Sequence, residues 1–281
     1  MELTPILDGL SFGEGPRWHG GRLWFSDFYR HRVSTVTIDG ETEVMLEVSQ
    51  QPSGLGWLPD GDLLVVSMLD RHLLRWDGQT TSVHADLSAL VTSPCNDMVV
   101  DEVGRAYVGN FGFDRHRGEP FAETTLVIVE PDGALSVGAD ALAFPNGTVI
   151  TPDGATLIIG ESMGNRLTAF DRNTETGALD NRRVWADLGD NLPDGICLDA
   201  EGAIWVADPR NGQVLRVTDG GQITDRIHCD EGRHAFACML GGPDRRTLFV
   251  VTNFTSGPKA ETTRNGRIET VEVAVPGAGL P

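Results

Sequence analysis

The residues best suited to chemistry lie at nearly the same offset ahead of six similar segments of the chain. Four segments carry an acid or an amide there, and two carry Ser or His. The residues are Glu14 in FGEGPRW, Ser53 in PSGLGW, Asn96 in PCNDMVVD, Asn146 in FPNGTVITPDG, Asp194 in LPDGICLDAEG and His234 in RHAFACML. If repeat symmetry gathers them around one axis, two carboxylates and two amide carbonyls converge. Such a cluster requires a cation to offset its repulsion and unpaired oxygens.

Hard oxygen donors favour a divalent cation, with water completing its coordination. Because no Cys or His belongs to the core set, calcium, magnesium or manganese fits better than structural zinc. Each residue alone also has an ordinary interpretation. Asn146-Gly147 and Asp194-Gly195 are common turn pairs, and Glu14 could be a surface acid. The metal prediction therefore depends on the offset that recurs between segments.

The elements that must position these residues are repeated hairpins. An apolar stretch, a tight turn and an alternating apolar strand recur six times, at intervals of roughly 40 to 50 residues. The copies are Gly15–Asp27, Leu55–Ser67, Met98–Asn110, Val149–Glu161, Ile196–Asp208 and Met239–Val251. Their alternation and turn residues are typical of β-hairpins. A second pair of strands in each repeat would complete a four-stranded antiparallel blade.

This pattern predicts an all-β protein, a six-bladed β-propeller that occupies residues 1–281 as a single domain. A TIM barrel would need amphipathic helices between strands, and a β-sandwich would not explain the repeat length. The segment Gly266–Val273 has strand character. We expect it to pair with N-terminal residues and close the ring.

The composition of the chain limits the classes of partner that it is expected to bind. The formal net charge is -19, and Lys259 is the only lysine. Such a surface repels phosphate backbones and anionic lipids, so neither nucleic acid nor membrane is expected as a partner. The absence of a long apolar run and of a secretory leader predicts a soluble, cytoplasmic protein. Four cysteines without a CxxC pair, at positions 95, 197, 229 and 238, are expected to be small buried hydrophobes.

Four motifs, FGEGPRW, CNDMVVDEVGRAYVG, FPNGTVITPDG and LPDGICLDAEGAIWVAD, resemble the senescence-marker/gluconolactonase/luciferin-regenerating (regucalcin-like) family, from about Phe12 to Thr252. The resemblance implies that Glu14, Asn146 and Asp194 ligate one divalent metal. Asn96 would be a fourth ligand or a substrate contact. It also implies hydrolysis of lactones, with organophosphate cleavage in some members.

The motifs also depart from that family. Sugar-lactone members often carry an Arg two positions before the Asn that corresponds to Asn96, and here Pro94 occupies that position. Asp114 matches an acidic substrate contact of those relatives. Phe111 and Phe113 beside it are more apolar than a sugar site needs. A sugar lactone and a less polar lactone or ester therefore both remain open. Arg115 and His116 belong to the same predicted loop over the channel mouth.

These features together predict a metal-dependent lactone hydrolase. The cation, most simply calcium, with manganese, magnesium, zinc or ferrous iron as alternatives, polarises the carbonyl. Asp194 assists water attack, or attacks directly as a nucleophile. The predicted substrate contacts are Asn96, Phe111, Phe113, Asp114 and His234, and His234 is also a candidate base. The alternatives are a non-enzymatic calcium-binding scaffold and a phosphotriesterase or isomerase at the same site. We expect a monomer or small homo-oligomer.

Overall fold

The alternating apolar residues fold into six antiparallel sheets of four strands each. The structure is a computed structural model that describes residues 2–114 and 117–281. Strand β1 (Thr4–Leu10) precedes the first blade. Blade 1 consists of β2 (Gly13–His19), β3 (Arg22–Asp27), β4 (Arg32–Val36) and β5 (Thr42–Glu47). Blade 2 consists of β6 (Pro52–Trp57), β7 (Leu63–Ser67), β8 (His72–Trp76) and β9 (Thr81–Asp86).

The other four blades repeat this order. Blade 3 consists of β10 (Cys95–Val100), β11 (Ala106–Asn110), β12 (Thr124–Val129) and β13 (Leu135–Leu142). Blade 4 consists of β14 (Pro145–Ile150), β15 (Thr156–Glu161), β16 (Arg166–Arg172) and β17 (Leu179–Asp187). Blade 5 consists of β18 (Ile196–Leu198), β19 (Ile204–Asp208), β20 (Gln213–Val217) and β21 (Ile223–His228). Blade 6 contains β22 (His234–Gly241), β23 (Thr247–Asn253) and β24 (Gly266–Glu272).

The first strand of each repeated hairpin is the innermost strand of its blade. These strands, β2, β6, β10, β14, β18 and β22, each contact the innermost strands of both neighbouring blades. The sheets therefore form a closed ring around one axis. The prediction of a six-bladed β-propeller with four-stranded antiparallel blades is confirmed.

The ring is closed by the N-terminal strand. Strand β1 pairs antiparallel with β24, Thr4 opposite Thr270 and Leu10 opposite Gly266, and so supplies the outer strand of blade 6. This pairing was expected from the strand character of the C-terminal segment. The chain after β24 was not anticipated. It crosses blades 4 and 5, where Leu280 exchanges backbone hydrogen bonds with Ile150 and Ala278 donates to Leu198.

Apolar side chains fill the spaces between neighbouring blades. One cluster joins blades 5, 6 and 1 through Trp205, Phe249 and Phe25, all at most 2% exposed. All four cysteines are free thiols; three are buried, whereas Cys229 is half-buried. The one α-helix among the described residues is α1 (Ala260–Thr263), in the loop between β23 and β24. No helix in that part of the chain is long and apolar enough to cross a membrane.

Candidate functional site

Most of the candidate residues lie at bulges in the innermost strands, whereas Asp194 precedes β18, whose pairing has no register shift. The pairing register shifts between Glu14 and Arg17 in β2, and between Pro145 and Thr148 in β14. Equivalent shifts occur in β6, β10 and β22. A bulge leaves one residue out of the ladder and re-aims its side chain. In this fold the re-aimed side chains reach the central cavity, where Glu14, Asn96, Asn146 and Asp194 all contribute to the lining.

The glycine that follows a candidate residue allows the blades to approach closely. A Cβ atom on Gly147 would lie 2.4 Å from the backbone nitrogen of Ile196 and 2.7 Å from the carbonyl oxygen of Asp194. Gly15, with φ of 54°, approaches Ser53 in the same way. The Asn146-Gly147 pair therefore serves strand packing at the axis, and its interpretation as a turn is wrong.

Backbone contacts between blades define which residues are equivalent. Gly147 donates to the carbonyl of Asp194 at 3.2 Å, and Gly195 donates to that of Phe236 at 2.8 Å. The approaches of Gly15 to Ser53 and of Gly54 to Asp97 and Met98 follow the same offset. We call the equivalent residues the ring positions. They are Glu14, Ser53, Asn96, Asn146, Asp194 and Phe236.

This equivalence corrects the alignment of the sixth blade. Phe236 takes the ring position, and His234 lies two residues earlier, one level nearer the mouth. Each ring position has a counterpart two residues before it in the chain, which in five blades lies just ahead of the innermost strand. These form the upper tier, which consists of Phe12, Gln51, Pro94, Phe144, Leu192 and His234. All six line the cavity, whose volume is about 780 Å³.

A buried serine sets the orientation of Asn146. Ser162 Oγ donates to the carbonyl oxygen of Pro193 at 2.7 Å, so it can only accept from the side-chain nitrogen of Asn146, at 3.2 Å. Both side chains are buried. Because its nitrogen is engaged, Asn146 has its carbonyl oxygen to offer to a ligand. No sequence signal pointed to Ser162.

Glu14 is buried beside other acids. Burial raises the pKa of the Glu14 carboxyl well above its usual range, and the negative charges of Asp194 and Asp97 raise it further. The positive charge of Arg17 lowers the Glu14 pKa, but this effect is smaller than those of burial and of the two acids. Its guanidinium donates to Asp97 Oδ1 at 2.6 Å and to three carbonyl oxygens, those of Pro16, Leu55 and Met98. Arg17 is committed to Asp97, so Glu14 and Asp194 together bring up to about two negative charges to the axis when both are ionised.

The donor set fits a hard divalent cation. It combines two carboxylates with the Asn146 carbonyl oxygen, and its net charge matches one such ion. Within residues 2–114 and 117–281 no three His, Cys, Asp or Glu side chains are grouped to hold a metal. Glu14 and Asp194 account for two such residues, and the other candidate donors are amides. The cation site itself stays a prediction.

Asn96 and Asp194 are held in different ways. Ser53 Oγ donates to Asn96 Oδ1 at 3.5 Å, a long contact that leaves the amide loosely restrained. The Asp194 backbone is held on both sides: its nitrogen donates to Ala207 at 3.0 Å, and its carbonyl accepts from Gly147. Asp194 is therefore positioned by two neighbouring elements.

The tautomer of His234 follows from its partner. Nδ1 lies 2.6 Å from the carbonyl oxygen of Pro209. A carbonyl oxygen only accepts, so Nδ1 carries a hydrogen, and in the neutral ring Nε2 has the lone pair. His234 is half-buried and lines the cavity. Its Nε2 can accept a proton or a hydrogen bond there.

Aromatic side chains form two walls above the ring positions. Phe111 stacks on Phe144 with ring centroids 4.7 Å apart, and Phe12 packs edge-on against Phe236 at 4.7 Å. Phe28 and Tyr29 extend the second wall. Phe12 and Phe144 in these walls belong to the upper tier. Their offset of two residues from Glu14 and Asn146 could have revealed them from the sequence.

The predicted mouth loop is placed only in part. Phe111 and Asp114 line the cavity, and Asp114 pairs with Arg117 at 3.3 Å. Phe113 is buried against Phe121 and Phe144 and does not belong to the lining, which differs from the predicted direct contact. Arg115 and His116 lie outside the described residues.

Residues 12–254 match the family model described as "SMP-30/Gluconolactonase/LRE-like region". The chain belongs to this family. The resemblance to this family that the four sequence motifs indicated is thereby confirmed. Regucalcin of Xenopus laevis is 29% identical over 264 residues, which cover 88% of this chain and 85% of that protein. A pentonolactonase of Haloferax volcanii is 27% identical over 262 residues, with 90% and 85% coverage.

A solved structure of an SMP-30/gluconolactonase-like relative has the same architecture. It is a calcium-binding protein, regucalcin, from Agrobacterium tumefaciens, with a TM-score of 0.83 and 23% identity. The alignment covers all of this chain and 96% of that one. At this identity the likeness establishes the propeller fold.

Proposed function

We propose that this protein is a divalent-metal-dependent hydrolase that opens a small lactone. The proposal is supported mainly by the ring positions, because Glu14, Asn146 and Asp194 all line one cavity. The pentonolactonase among the relatives supports the reaction class. The calcium-binding relative supports a cation, with calcium first and manganese, magnesium, zinc or ferrous iron as alternatives.

Glu14, Asn146 and Asp194 would hold the ion, with Asn96 beside it as a fourth ligand or a substrate contact. A bound divalent cation supplies a Lewis acid for the lactone carbonyl oxygen and favours ionised carboxylates around it. Asn146 contributes a carbonyl oxygen because Ser162 engages its nitrogen. Arg17 keeps Asp97 out of the ligand set by pairing with it.

Asp194 is proposed to accept the proton of the attacking water. Its backbone is anchored to blades 4 and 5, so the carboxylate is presented from a fixed point. A fixed base adjacent to the reacting carbon lowers the barrier through orientation as well as proton transfer. Direct nucleophilic attack by Asp194 is the alternative, and trapping of a covalent ester would identify it.

His234 is proposed to contact the substrate through Nε2 from the upper tier. With Nδ1 bonded to Pro209, Nε2 accepts from a substrate hydroxyl or relays a proton from water. Asp114, Phe111 and Asn96 are proposed substrate contacts at the cavity lining. Phe113 acts on the substrate only through Phe144.

The proposal is tested by acid release at constant pH from sugar, aliphatic and aromatic lactones. Metal-stripped protein is supplemented with each divalent ion in turn, and Asp194→Asn is compared with Asp225→Asn, an acid of the same blade outside the cavity. We expect metal-dependent turnover in the wild type and in Asp225→Asn. A folded Asp194→Asn variant should lose at least about a hundredfold in kcat, the usual contribution of a positioned base.

Tight cation binding with no turnover of any lactone would contradict the hydrolase and favour a calcium-binding scaffold. Hydrolysis of a phosphotriester to a phosphodiester and an alcohol, or formation of an isomer, would move the same site to those reactions. A cytoplasmic location, a monomeric or small oligomeric state and a single domain over residues 1–281 are further parts of the proposal. Size-exclusion chromatography with light scattering tests the oligomeric state.

A further inference from the structure

The upper tier of the cavity is poor in hydrogen-bonding side chains. Gln51 and His234 are its polar members, while Phe12, Pro94, Phe144 and Leu192 present carbon. Each sugar hydroxyl that is buried without a partner costs free energy. A polyhydroxylated lactone would leave several hydroxyls against these aromatic rings. The tier therefore suits a substrate whose polar atoms are confined to the reacting ring.

The apolar surface continues to the rim. Leu69, Met163 and Phe254 line the cavity and are 45%, 41% and 43% exposed. Exposed large apolar residues that adjoin a cavity mark a surface that a ligand covers. Together with the aromatic walls they extend an apolar path from the ring positions to solvent.

Two cations lie among the exposed residues that line the cavity. Arg210 follows β19 in blade 5, and Lys259 lies in the loop after β23 in blade 6; both line the cavity and are exposed. Neither forms an ion pair with a carboxylate in the described part of the chain, whereas Arg117, the third cation of the lining, pairs with Asp114. The guanidinium of Arg210 donates to the carbonyl of Asp190 at 3.2 Å. The protein has a net charge of -19, and its only lysine, Lys259, lies at the mouth of the cavity.

We propose that the substrate is a lactone with an apolar body and an anionic group, a carboxylate, at the end remote from the reacting carbonyl, and that Arg210 and Lys259 bind that group. The inference rests on the proposed lactonase and specifies its substrate class. The lactone ring lies over Asn96, Asn146 and Asp194, and the apolar body lies along the walls. The carboxylate meets the two cations as it leaves the apolar path.

The test uses pairs of lactones with one ring and one alkyl or aryl chain, ending either in a carboxylate or in its methyl ester. Both kcat/KM and binding to Asp194→Asn by calorimetry are measured at two salt concentrations. We expect the carboxylate to be preferred by roughly tenfold at low salt, because charge-assisted hydrogen bonds exceed neutral ones and are screened by ions. In the double variant Arg210→Gln/Lys259→Gln this ratio should approach one. Arg226→Gln, an exposed arginine of blade 5 outside the cavity, should keep it.

Equal turnover of both members of each pair, or a preference for sugar lactones over both, would overturn the inference while the hydrolase stands. If no lactone is opened, the hydrolase proposal fails, and the calorimetric ratio still decides whether Arg210 and Lys259 select an anion. A ratio near one in the wild type would then overturn the inference as well.

Discussion

At the scale of single residues, the donor atoms at the axis depend on buried neighbours. Ser162 determines which atom of Asn146 is offered, and Arg17 engages Asp97. Neighbours of this kind orient ligands and often change metal affinity when altered. Two predictions belong to this scale.

Ser162→Ala removes the acceptor that holds the Asn146 nitrogen. We expect the affinity for calcium or manganese to fall by roughly tenfold, because Asn146 can then turn its nitrogen toward the ion. Ser26→Ala is the matched control, since Ser26 is also buried and donates to a backbone carbonyl between blades, that of Ser53, at 2.6 Å. Both variants should lose about 1 kcal/mol of stability. Isothermal titration with each metal measures the difference; an equal loss of affinity in both variants would contradict the orienting role.

The raised pKa of Glu14 predicts that, in the metal-free protein, Glu14→Gln increases stability at neutral pH. Burial, with the charges of Asp194 and Asp97, raises the Glu14 pKa above its usual 4.5, so the folded state holds this proton more tightly than the unfolded state. The stabilisation is present at low pH and is lost as pH rises through the raised pKa. Metal-stripped Glu14→Gln should therefore melt higher than wild type above about pH 5. Saturating calcium should reverse the order.

Melting curves from pH 4.5 to 8, with and without chelator, measure both effects. Glu231→Gln, which changes an exposed acid, is the control and should follow the wild type. A metal-free Glu14→Gln variant that melts below the wild type at neutral pH would contradict the unfavourable burial of this charge.

At the scale of elements, the site is made by the close approach of innermost strands. Bulges aim the ring positions at the cavity, and glycines allow neighbouring backbones to meet. The strands β14 and β18 illustrate the dependence, because Gly147 bonds directly to the Asp194 carbonyl. A change there affects two candidate ligands without altering either side chain.

Gly147→Ala places a methyl group against backbone atoms of blade 5 that cannot rotate away. We expect a loss of about 1–3 kcal/mol of stability, and metal binding should weaken as Asn146 and Asp194 separate. Gly138→Ala, in the outer strand β13, is the control, because its close contacts are with the side chain of Ile128 and the nearest backbone atom, the Leu126 carbonyl oxygen, is 3.5 Å away. Its metal affinity should equal that of the wild type. Chemical denaturation and calorimetry test the pair; an unaffected site in Gly147→Ala would show that the blades tolerate the displacement.

At the scale of the whole molecule, the ring is held closed by strand β1. It covers the edge of β24, and Leu10 at its end is buried at 2% exposure. An uncovered strand edge invites pairing with another chain. Closure therefore contributes both to stability and to keeping the molecule from self-associating.

Deletion of residues 2–10 should lower the melting temperature and produce concentration-dependent association, because the β24 edge loses its partner. Deletion of Glu2 alone, which is exposed and precedes β1, is the control and should leave both properties near wild type. Differential scanning calorimetry and light scattering over a range of concentrations follow the two effects. A deletion of residues 2–10 that stays monomeric with unchanged melting would show that blade 6 is stable with three strands.

The repeat, the number of blades and the five polar ring positions could be predicted from the sequence. Period-two alternation and turn residues are local features of the chain, so they can be recognised without knowledge of the neighbouring strands. Glu14, Asn96, Asn146 and Asp194 were found because symmetry converts a recurring offset into a shared location.

Features that depend on contacts between distant segments could be seen only in the folded protein. The register between blades moved His234 to the upper tier and put Phe236 at the ring position. Packing turned Phe113 away from the cavity lining and joined Ser162 to Asn146. The pairing of Arg17 with Asp97 spans 80 positions and offsets the charge of Asp97 beside the axis. Such contacts depend on backbone positions across the ring, which no local pattern encodes.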